Sequence, residues 1–419
     1  MRKILIFSSI ALLFGVIANA QEAQTALDFY KKELVAFPVQ STQETRAYAQ
    51  SLADGLQTWL LQNENHPAAQ DALLLQARLR GQARQNGSAL VNLFRLRYLF
   101  PQADLTNITS LFEEALTGLD KKYRSQASQL LMKGPSAQAN QPGAREAETL
   151  YAFSKLKGKD FYPAAAQAFE QFFARYPKYA GNNEVELWYG DLHRTNDNYL
   201  AAIAQYKKAD ALYPNSAYKA ASLRLIGDIY ADNLKNTPAA TEAYTRVLRL
   251  FPNSSETGIV YKHMAILDEN NKQYDSALIN YDKAIELLGP TPAAYEAYRG
   301  KADVCIKTKQ YEEAYRILHQ TAEFFQADKA KSAQALMQAA TIARKQLRDD
   351  VKYVQSLQKA VLLQPTDSTT APRLYELGQA YEKQGKTAAA QETYKKLILQ
   401  FPTSSYTSSA QRRLNRLTK

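Results

Sequence analysis

The chain has 419 residues, of which 46% are hydrophobic and 22% charged, and its formal net charge is +11. It contains only 16 glycines and 15 prolines, and Ala, Leu, Gln, Lys and Glu dominate, a composition that favours an all-helical fold. The single cysteine, Cys305, excludes an intramolecular disulfide. The basic balance suits anionic surfaces such as membranes, polyanionic wall polymers or acidic proteins, but it is also that of an ordinary soluble protein.

The first 20 residues have the pattern of a secretory signal peptide. Arg2 and Lys3 precede an apolar run over residues 4–17, and Ala18, Asn19 and Ala20 form the expected cleavage site. The run is shorter than the roughly 20 residues that span a bilayer, and no cysteine follows the cleavage point that could carry a lipid. The pattern predicts export to a bacterial periplasm, with no integral membrane segment after cleavage. The alternative is an uncleaved anchor.

Residues 21–133 are predicted to be helical, with a blurred repeat. Apolar residues recur at helical spacing over residues 26–37 and 42–61. We expect degenerate helix pairs with turns at Asn86-Gly87 and about Gly118. Residues 134–143 contain two prolines, two glycines and no apolar residue larger than alanine, which indicates a linker or exposed loop. We therefore predict a boundary there, with a second block at 144–419.

The second block repeats a single helical stripe. Ala202, Tyr206 and Ala209 lie at i, i+4 and i+7, and Pro214 stops the helix. The central residue recurs at steps of 37 to 39 as Phe169, Tyr206, Tyr244, Tyr281, Leu318, Leu357 and Tyr394. Self-similarity at a period of this length predicts a solenoid of stacked helix pairs. Residues 406–417, with Arg412, Arg413 and Arg416 on the outer side, are predicted to be its capping helix.

The last full unit carries a family resemblance. Its order is Leu374, Leu377, Gly378, Tyr381, a turn at 384–386, Ala390, Tyr394, Leu397 and Pro402. This order resembles the tetratricopeptide repeat (TPR) family, and the resemblance implies an all-α, right-handed α-α superhelix over residues 144–419. Gly190 fits the same template, and Gly227 with Ala240 fits after one inserted residue. The period exceeds the usual 34 residues of the family. The unit around residues 337–357 lacks the glycine and tyrosine, which predicts looser packing there.

No sequence pattern indicates catalysis or a cofactor. The four histidines, His66, His193, His263 and His319, fall in different units without a partner at zinc-ligand spacing. No phosphate-binding glycine loop or nucleophile elbow is present, although a carboxylate pair assembled in space would be invisible at this level. Cys305 is predicted to be buried and inert rather than nucleophilic. We therefore predict a protein that is not an enzyme, with no cofactor and no nucleic-acid partner.

The resemblance implies that the first helix of each unit lines a concave groove for a protein or peptide ligand. With Gly190, Gly227, Ala265, Ala302 and Gly378 as phase markers, the candidate groove residues are Arg224, Lys262, Arg299, Asp228, Asp303 and Tyr375. One interpretation is a basic ladder of Arg224, Lys262 and Arg299 that holds an acidic segment or a terminal carboxylate. The other is that Arg224 with Asp228, and Arg299 with Asp303, form structural i, i+4 pairs, each worth a few tenths of a kcal/mol. Lys262 has no acidic residue four positions along and is the strongest functional candidate.

The predicted function is that of an exported scaffold or adaptor for protein–protein interaction, within a cell-envelope complex. The alternative is a wall-polymer-binding or wall-cleaving protein similar to the lytic transglycosylases, which append a catalytic domain to a helical superhelix. An apolar or charge-matched groove would favour the first function. An aromatic-rich groove with exposed carboxylates would favour the second.

Overall fold

The computed structural model of the protein describes residues 20–38, 41–63, 66–103, 108–136, 143–367 and 369–418. These residues form α-helices and short turns, without β-strands, and they divide into two compact units, 1–229 and 230–419. Residues 1–19 of the predicted signal peptide and residues 137–142 of the predicted linker lie outside the described part of the chain. Among the described helices, none has the length and apolar character needed to cross a membrane.

The first unit contains eleven described helices, and neighbours along the chain pack against each other. They are α1 (Ala20–Val35), α2 (Gln43–Gln62), α3 (Ala69–Gln82), α4 (Asn86–Leu99), α5 (Thr109–Ala115), α6 (Lys121–Lys133), α7 (Ala144–Ser154), α8 (Tyr162–Arg175), α9 (Asn182–Thr195), α10 (Tyr199–Leu212) and α11 (Lys219–Asp228). A 3-10 turn, Leu116–Gly118, follows α5.

The second unit contains ten helices, again packed in chain order. They are α12 (Thr237–Leu250), α13 (Glu256–Asn270), α14 (Tyr274–Leu288), α15 (Pro292–Lys307), α16 (Tyr311–Phe324), α17 (Lys329–Ile342), α18 (Asp350–Leu363), α19 (Thr370–Lys383), α20 (Thr387–Gln400) and α21 (Thr407–Leu417). The predicted all-α helical-repeat fold is confirmed. From α7 onward, the odd-numbered helices up to α19 are the first helices of the repeats, and the even-numbered ones are the second helices.

The turn predicted at Asn86-Gly87 lies elsewhere. Asn86 and Gly87 open α4, and the chain reverses just before them, where Arg84 adopts a left-handed backbone with φ of 58°. Gly87 is needed for close packing, because a Cβ there would overlap the backbone of Asp160 and Phe161. A Cβ on Gly118 would in turn overlap Gly87. The two glycines therefore mark a backbone crossing.

Residues before and after the predicted linker share one hydrophobic core. The cluster extends along the chain from Ala77 to Leu192, and within it the rings of Phe94 and Phe153 lie 5.8 Å apart. A buried carboxylate, Glu146, joins the same segments, since it accepts hydrogen bonds from Arg175 at 2.9 Å and from Arg95 at 3.5 Å. Pairing compensates much of the cost of burying these charges.

The repeat stripe is the core of both units. Tyr206, Tyr244, Tyr281 and Tyr394 are among the largest fully buried side chains. At Gly190 and Gly378 an added Cβ would overlap the rings of Tyr206 and Tyr394, respectively. The prediction that small residues lie where two helices cross closely is thus confirmed at both positions. Cys305 is buried, and burial raises the pKa of its thiol, in agreement with its predicted inert role.

Two π-helical segments accompany the irregular steps of the repeat. Ile229–Asn233 follows α11 and Ala343–Leu347 follows α17, and these are the places where the step of 37 grows to 38 and 39. A π-turn is the usual way for a helix to take up an inserted residue. The looser packing predicted around Met337 is not observed, because Leu336 and Ala339 are at most 3% exposed. Alanines there supply the small side chains that glycine supplies elsewhere.

The C-terminal helix α21 closes the second unit. Ala410 and Leu414 join its hydrophobic core, and Arg412 and Arg416 are exposed, as predicted for a cap. Arg413 differs from the prediction, because its side chain turns toward α19 instead of solvent. Its guanidinium lies 2.9 Å from Glu382.

Candidate partner-binding face of the first helices

Arg224 and Asp228 lie one turn apart on α11, in the first unit. The guanidinium of Arg224 donates to the carboxylate of Asp228, and both side chains are half-buried. The i, i+4 pair expected from the sequence is therefore formed. Of the predicted basic ladder, the other two members, Lys262 and Arg299, belong to the second unit.

Lys262 is not an unmatched cation. Its residue is 8% exposed, and its Nζ lies 2.6 Å from Glu296 Oε2 on α15, the first helix of the next repeat. The expectation that Lys262 has no acidic partner considered only its own helix. The carboxylate comes from 34 residues along the chain, a separation that no helical spacing would suggest.

Arg299 and Asp303 do not form the predicted ion pair. Among the described residues no ion pair of either side chain is found, although Arg299 is half-buried and its Nε is buried without a hydrogen-bond partner. A buried donor without an acceptor costs free energy. In the second unit, Arg299 is therefore the groove candidate with the most to gain from a ligand.

Tyr375 packs beneath the C-terminal helix. Arg413 Nε donates to its hydroxyl at 3.2 Å, and the rings of Tyr375 and Tyr406 lie 5.4 Å apart. Its contacts are those of a residue that seats the cap.

The carboxylates of the first helices have partners that the sequence did not reveal. The hydroxyl of a repeat tyrosine donates to each: Tyr206 to Asp191 at 2.7 Å, Tyr281 to Glu269 at 2.8 Å and Tyr394 to Glu382 at 2.6 Å. Burial raises the pKa of each of these tyrosines, so the hydroxyl remains a donor. A cation from another helix completes each site: Lys155 at 3.3 Å, Lys307 at 2.6 Å and Arg413 at 2.9 Å, respectively. These acidic residues therefore hold helices together.

An exposed aromatic pair lies on the first helices of the first unit. Tyr151 on α7 and Trp188 on α9 make an edge-to-face contact with centroids 5.1 Å apart, and Tyr151 is 43% exposed. Lys155 Nζ lies 4.8 Å from the centroid of the Tyr151 ring. The sequence reasoning missed this pair. The signal was present, because the two residues are separated by one repeat step of 37.

Trp188 differs from the other tryptophan of the chain. Trp59 is 2% exposed, and its indole N–H donates to the carbonyl of Ala23 at 2.9 Å. Trp188 is half-buried, and within the described part of the chain its indole has no hydrogen-bond acceptor. Tryptophan and tyrosine with a free polar edge are typical of the residues that dominate protein interfaces.

Groups suited to a metal were sought among the described residues. None has three or more His, Cys, Asp or Glu side chains placed to hold an ion. His193 accepts or donates a 2.8 Å hydrogen bond with the Tyr162 hydroxyl, and His319 pairs with Ser356 at 2.9 Å. These histidines lie in separate repeats, as the sequence indicates.

The stacked helix pairs and the polar and aromatic face of their first helices define a helical-repeat protein of the interaction-scaffold class. Residues 156–217 and 374–404 match sequence models of the tetratricopeptide repeat, one stretch in each unit. The chain is a tetratricopeptide-repeat protein. Such a fold is typically a non-catalytic scaffold for protein partners.

Similar structures are found among solved tetratricopeptide-repeat proteins. A tetratricopeptide-repeat protein from Parabacteroides merdae is 16% identical, with a TM-score of 0.36, over 65% of this chain and 98% of that one. The C-terminal part of a TPR repeat-containing protein from Cytophaga hutchinsonii is 15% identical, with a TM-score of 0.42, over 64% and 98%. Yeast Tom70 is 16% identical, with a TM-score of 0.30, over 100% and 96%. No curated protein matches the sequence.

Proposed function

We propose that this protein is an exported, non-catalytic adaptor that holds a segment of a protein partner on the first helices of its first unit, as an accessory component of cell-envelope machinery. The observation that carries the proposal is the exposed pair of Tyr151 and Trp188. Two aromatic rings on a rigid helical face offer a large apolar contact area at low conformational cost.

Charge around the pair favours an acidic partner segment. Lys155 and Arg194 both approach Asp191, at 3.3 and 3.2 Å, so two cations share a single carboxylate. That carboxylate also accepts the hydroxyl of Tyr206. The local excess of one positive charge would attract a carboxylate of the partner, with an apolar side chain placed on the rings.

The wall-polymer alternative draws less support from this face. Sugar-binding or sugar-cleaving sites with aromatic platforms need exposed carboxylates beside the rings. Here the neighbouring carboxylate, Asp191, is 8% exposed and already has three partners. A partner protein therefore fits the surroundings of the pair better than a polysaccharide does.

Export is the part of the proposal that rests on sequence alone. Arg2, Lys3, the apolar run and the small residues at 18–20 form a signal-peptide pattern. Fractionation of cells followed by N-terminal sequencing tests it. Recovery of periplasmic protein that starts at Gln21 supports export, whereas protein that starts at Met1 and stays with membranes after a high-salt wash contradicts it.

Site-specific crosslinking tests the adaptor function. A photoreactive phenylalanine analogue replaces Trp188 in one variant and Lys207, an exposed residue of second helix α10, in the control. We expect a discrete crosslinked protein from position 188 in the native envelope, absent from position 207 and weakened by Tyr151→Ala. The same product from both positions, or none from position 188, would contradict a binding site at the aromatic pair.

A further inference from the structure

The turns between first and second helices carry a row of cations in the second unit. In each such turn one residue adopts the left-handed backbone, and in order these are Lys235, Lys272, Lys309, Arg348 and Gly385. Lys386 follows the glycine. Because these turns are equivalent positions of stacked repeats, they lie along one edge of the unit. We call Lys235, Lys272, Lys309, Arg348 and Lys386 the basic turn edge.

The five side chains are exposed, and among the described residues none of them has an ion pair. Other cations of the same unit are matched: Lys307 by Glu269, Lys352 by Glu312 and Lys383 by Asp350. Two exposed carboxylates, Asp232 and Asp275, lie near the first two turns and offset part of the charge. The edge nevertheless keeps an excess of unmatched cations, one in every repeat.

Backbone conformation does not explain why these residues are basic. A left-handed residue with a Cβ is strained, and glycine relieves the strain. Gly385 shows that glycine is accepted at this position of the repeat, with φ of 69° and open space around it. The dipole of the preceding helix favours a cation at this point, but the left-handed strain opposes it. Four strained cations in a row therefore indicate a use for the charge.

The spacing of the cations narrows the kind of ligand. Each turn contributes a single unmatched charge, so no turn forms a compact pocket for a carboxylate or a phosphate group. An extended array of anions is needed to engage all five together. The tips of turns along one edge are also the part of a helical stack that can approach a flat surface without moving its helices.

We propose that the basic turn edge of the second unit docks the protein onto an anionic phospholipid surface. The contact is electrostatic, between lysine or arginine side chains and lipid phosphates, without insertion of apolar residues. Basic residues near such a surface contribute independently, and each cation strengthens binding about fivefold. This surface is distinct from the first-helix face, so a partner protein and a membrane could be bound together.

The test uses the full-length mature chain and vesicles of two compositions, pure phosphatidylcholine and equal parts of phosphatidylcholine and phosphatidylglycerol. The quadruple variant Lys235→Gly, Lys272→Gly, Lys309→Gly and Arg348→Gly removes four charges and relieves four strained turns, so it should melt at or above the wild-type temperature. The control removes four exposed cations from second helices: Lys207→Gln, Arg249→Gln, Lys359→Gln and Lys395→Gln.

We expect the wild type to sediment with the phosphatidylglycerol vesicles at low salt and to be released at high salt, since exposed charges are screened over about 10 Å at 0.1 M. The turn variant should lose binding on the order of 500-fold, at about fivefold per cation, and much more than the control. Equal loss in the two variants, or equal binding to neutral vesicles, would overturn the proposal. Binding to polyglutamate without binding to the vesicles would also overturn it, in favour of an acidic protein segment.

Discussion

The hydroxyl of Tyr206 donates to Asp191 at 2.7 Å, while the ring of the same tyrosine fills the space that Gly190 leaves between two helices. One side chain thus closes an apolar contact and satisfies a buried carboxylate. Because burial raises the pKa of Tyr206 well above its usual value, the donor proton is retained at any pH at which the protein is folded. The arrangement recurs at Tyr394, Gly378 and Glu382 in the second unit.

Removing the Tyr206 side chain should therefore cost more than removing its hydroxyl. Tyr206→Ala leaves a cavity at a helix crossing and should lower the free energy of unfolding by roughly 3–5 kcal/mol. Tyr206→Phe removes a hydrogen bond to a charged group and should cost about 1.5–3 kcal/mol. Urea midpoints measure both, with Lys207→Ala as an exposed control on the same helix. Equal shifts for Tyr206→Ala and Lys207→Ala would show that the ring is not a core residue.

Gly190→Ala should destabilise the protein, although alanine is normally preferred to glycine inside a helix by about 1 kcal/mol. The added Cβ would overlap the ring of Tyr206, which is fully buried and has no room to withdraw. Overpacking of this kind typically costs about 1–3 kcal/mol. The double variant Gly190→Ala with Tyr206→Leu should recover part of the loss. A melting temperature that rises with Gly190→Ala alone would contradict the close crossing.

Stability should fall as the pH drops below about 6.5. His193 and His319 are largely buried, and burial lowers the pKa of both, whereas the unfolded chain binds these protons with a pKa near 6.5. The unfolded state therefore takes up protons first, and the stabilisation, complete above about pH 6.5, is lost between that value and the lower folded pKa. Urea midpoints from about pH 7.5 to about 5.5 measure the effect.

His193→Gln is the control for this pH dependence. It should reduce the slope of the midpoint against pH by the share of one histidine, whatever its effect on the midpoint itself. A slope unchanged by the substitution would show that His193 does not cause the acid sensitivity.

Lys262→Glu should destabilise the second unit, since the new carboxylate would lie beside Glu296 in place of an ion pair of 2.6 Å. Lys262 is nearly buried and Glu296 mostly exposed, so the cost should lie between those of exposed and buried pairs, at about 1–3 kcal/mol. The exchange Lys262→Glu with Glu296→Lys should restore much of the loss. If the single variant and the exchange melt alike, the pair contributes nothing.

Short-range patterns predicted the fold well. The stripe of Ala202, Tyr206 and Ala209 lies within one helix and repeats at a nearly constant step, so it identifies buried faces without any knowledge of tertiary structure. The turn at Asn86-Gly87 failed because Gly87 is glycine for a different reason, a backbone crossing with residues more than 70 positions away. A glycine that permits a turn and one that permits a contact look alike in sequence.

The candidate site was predicted less well for a similar reason. Arg224 and Asp228 are paired within one helix, and the sequence showed it. Lys262 finds Glu296 only because successive first helices are neighbours, and Arg299 lacks the partner that its spacing promised. The charge of a solenoid face depends on pairs between repeats, which helical spacing does not report.

The two π-helical segments have a consequence for how such a chain can change in length. A residue inserted into an ordinary helix rotates everything beyond it by about 100°, which would turn a buried tyrosine toward water. Ile229–Asn233 and Ala343–Leu347 widen locally instead, and Tyr244 and Leu357 beyond them are still buried. Each segment therefore acts as a spacer that isolates a length mutation within its own repeat, so repeats of unequal length can accumulate in one array without loss of its common core.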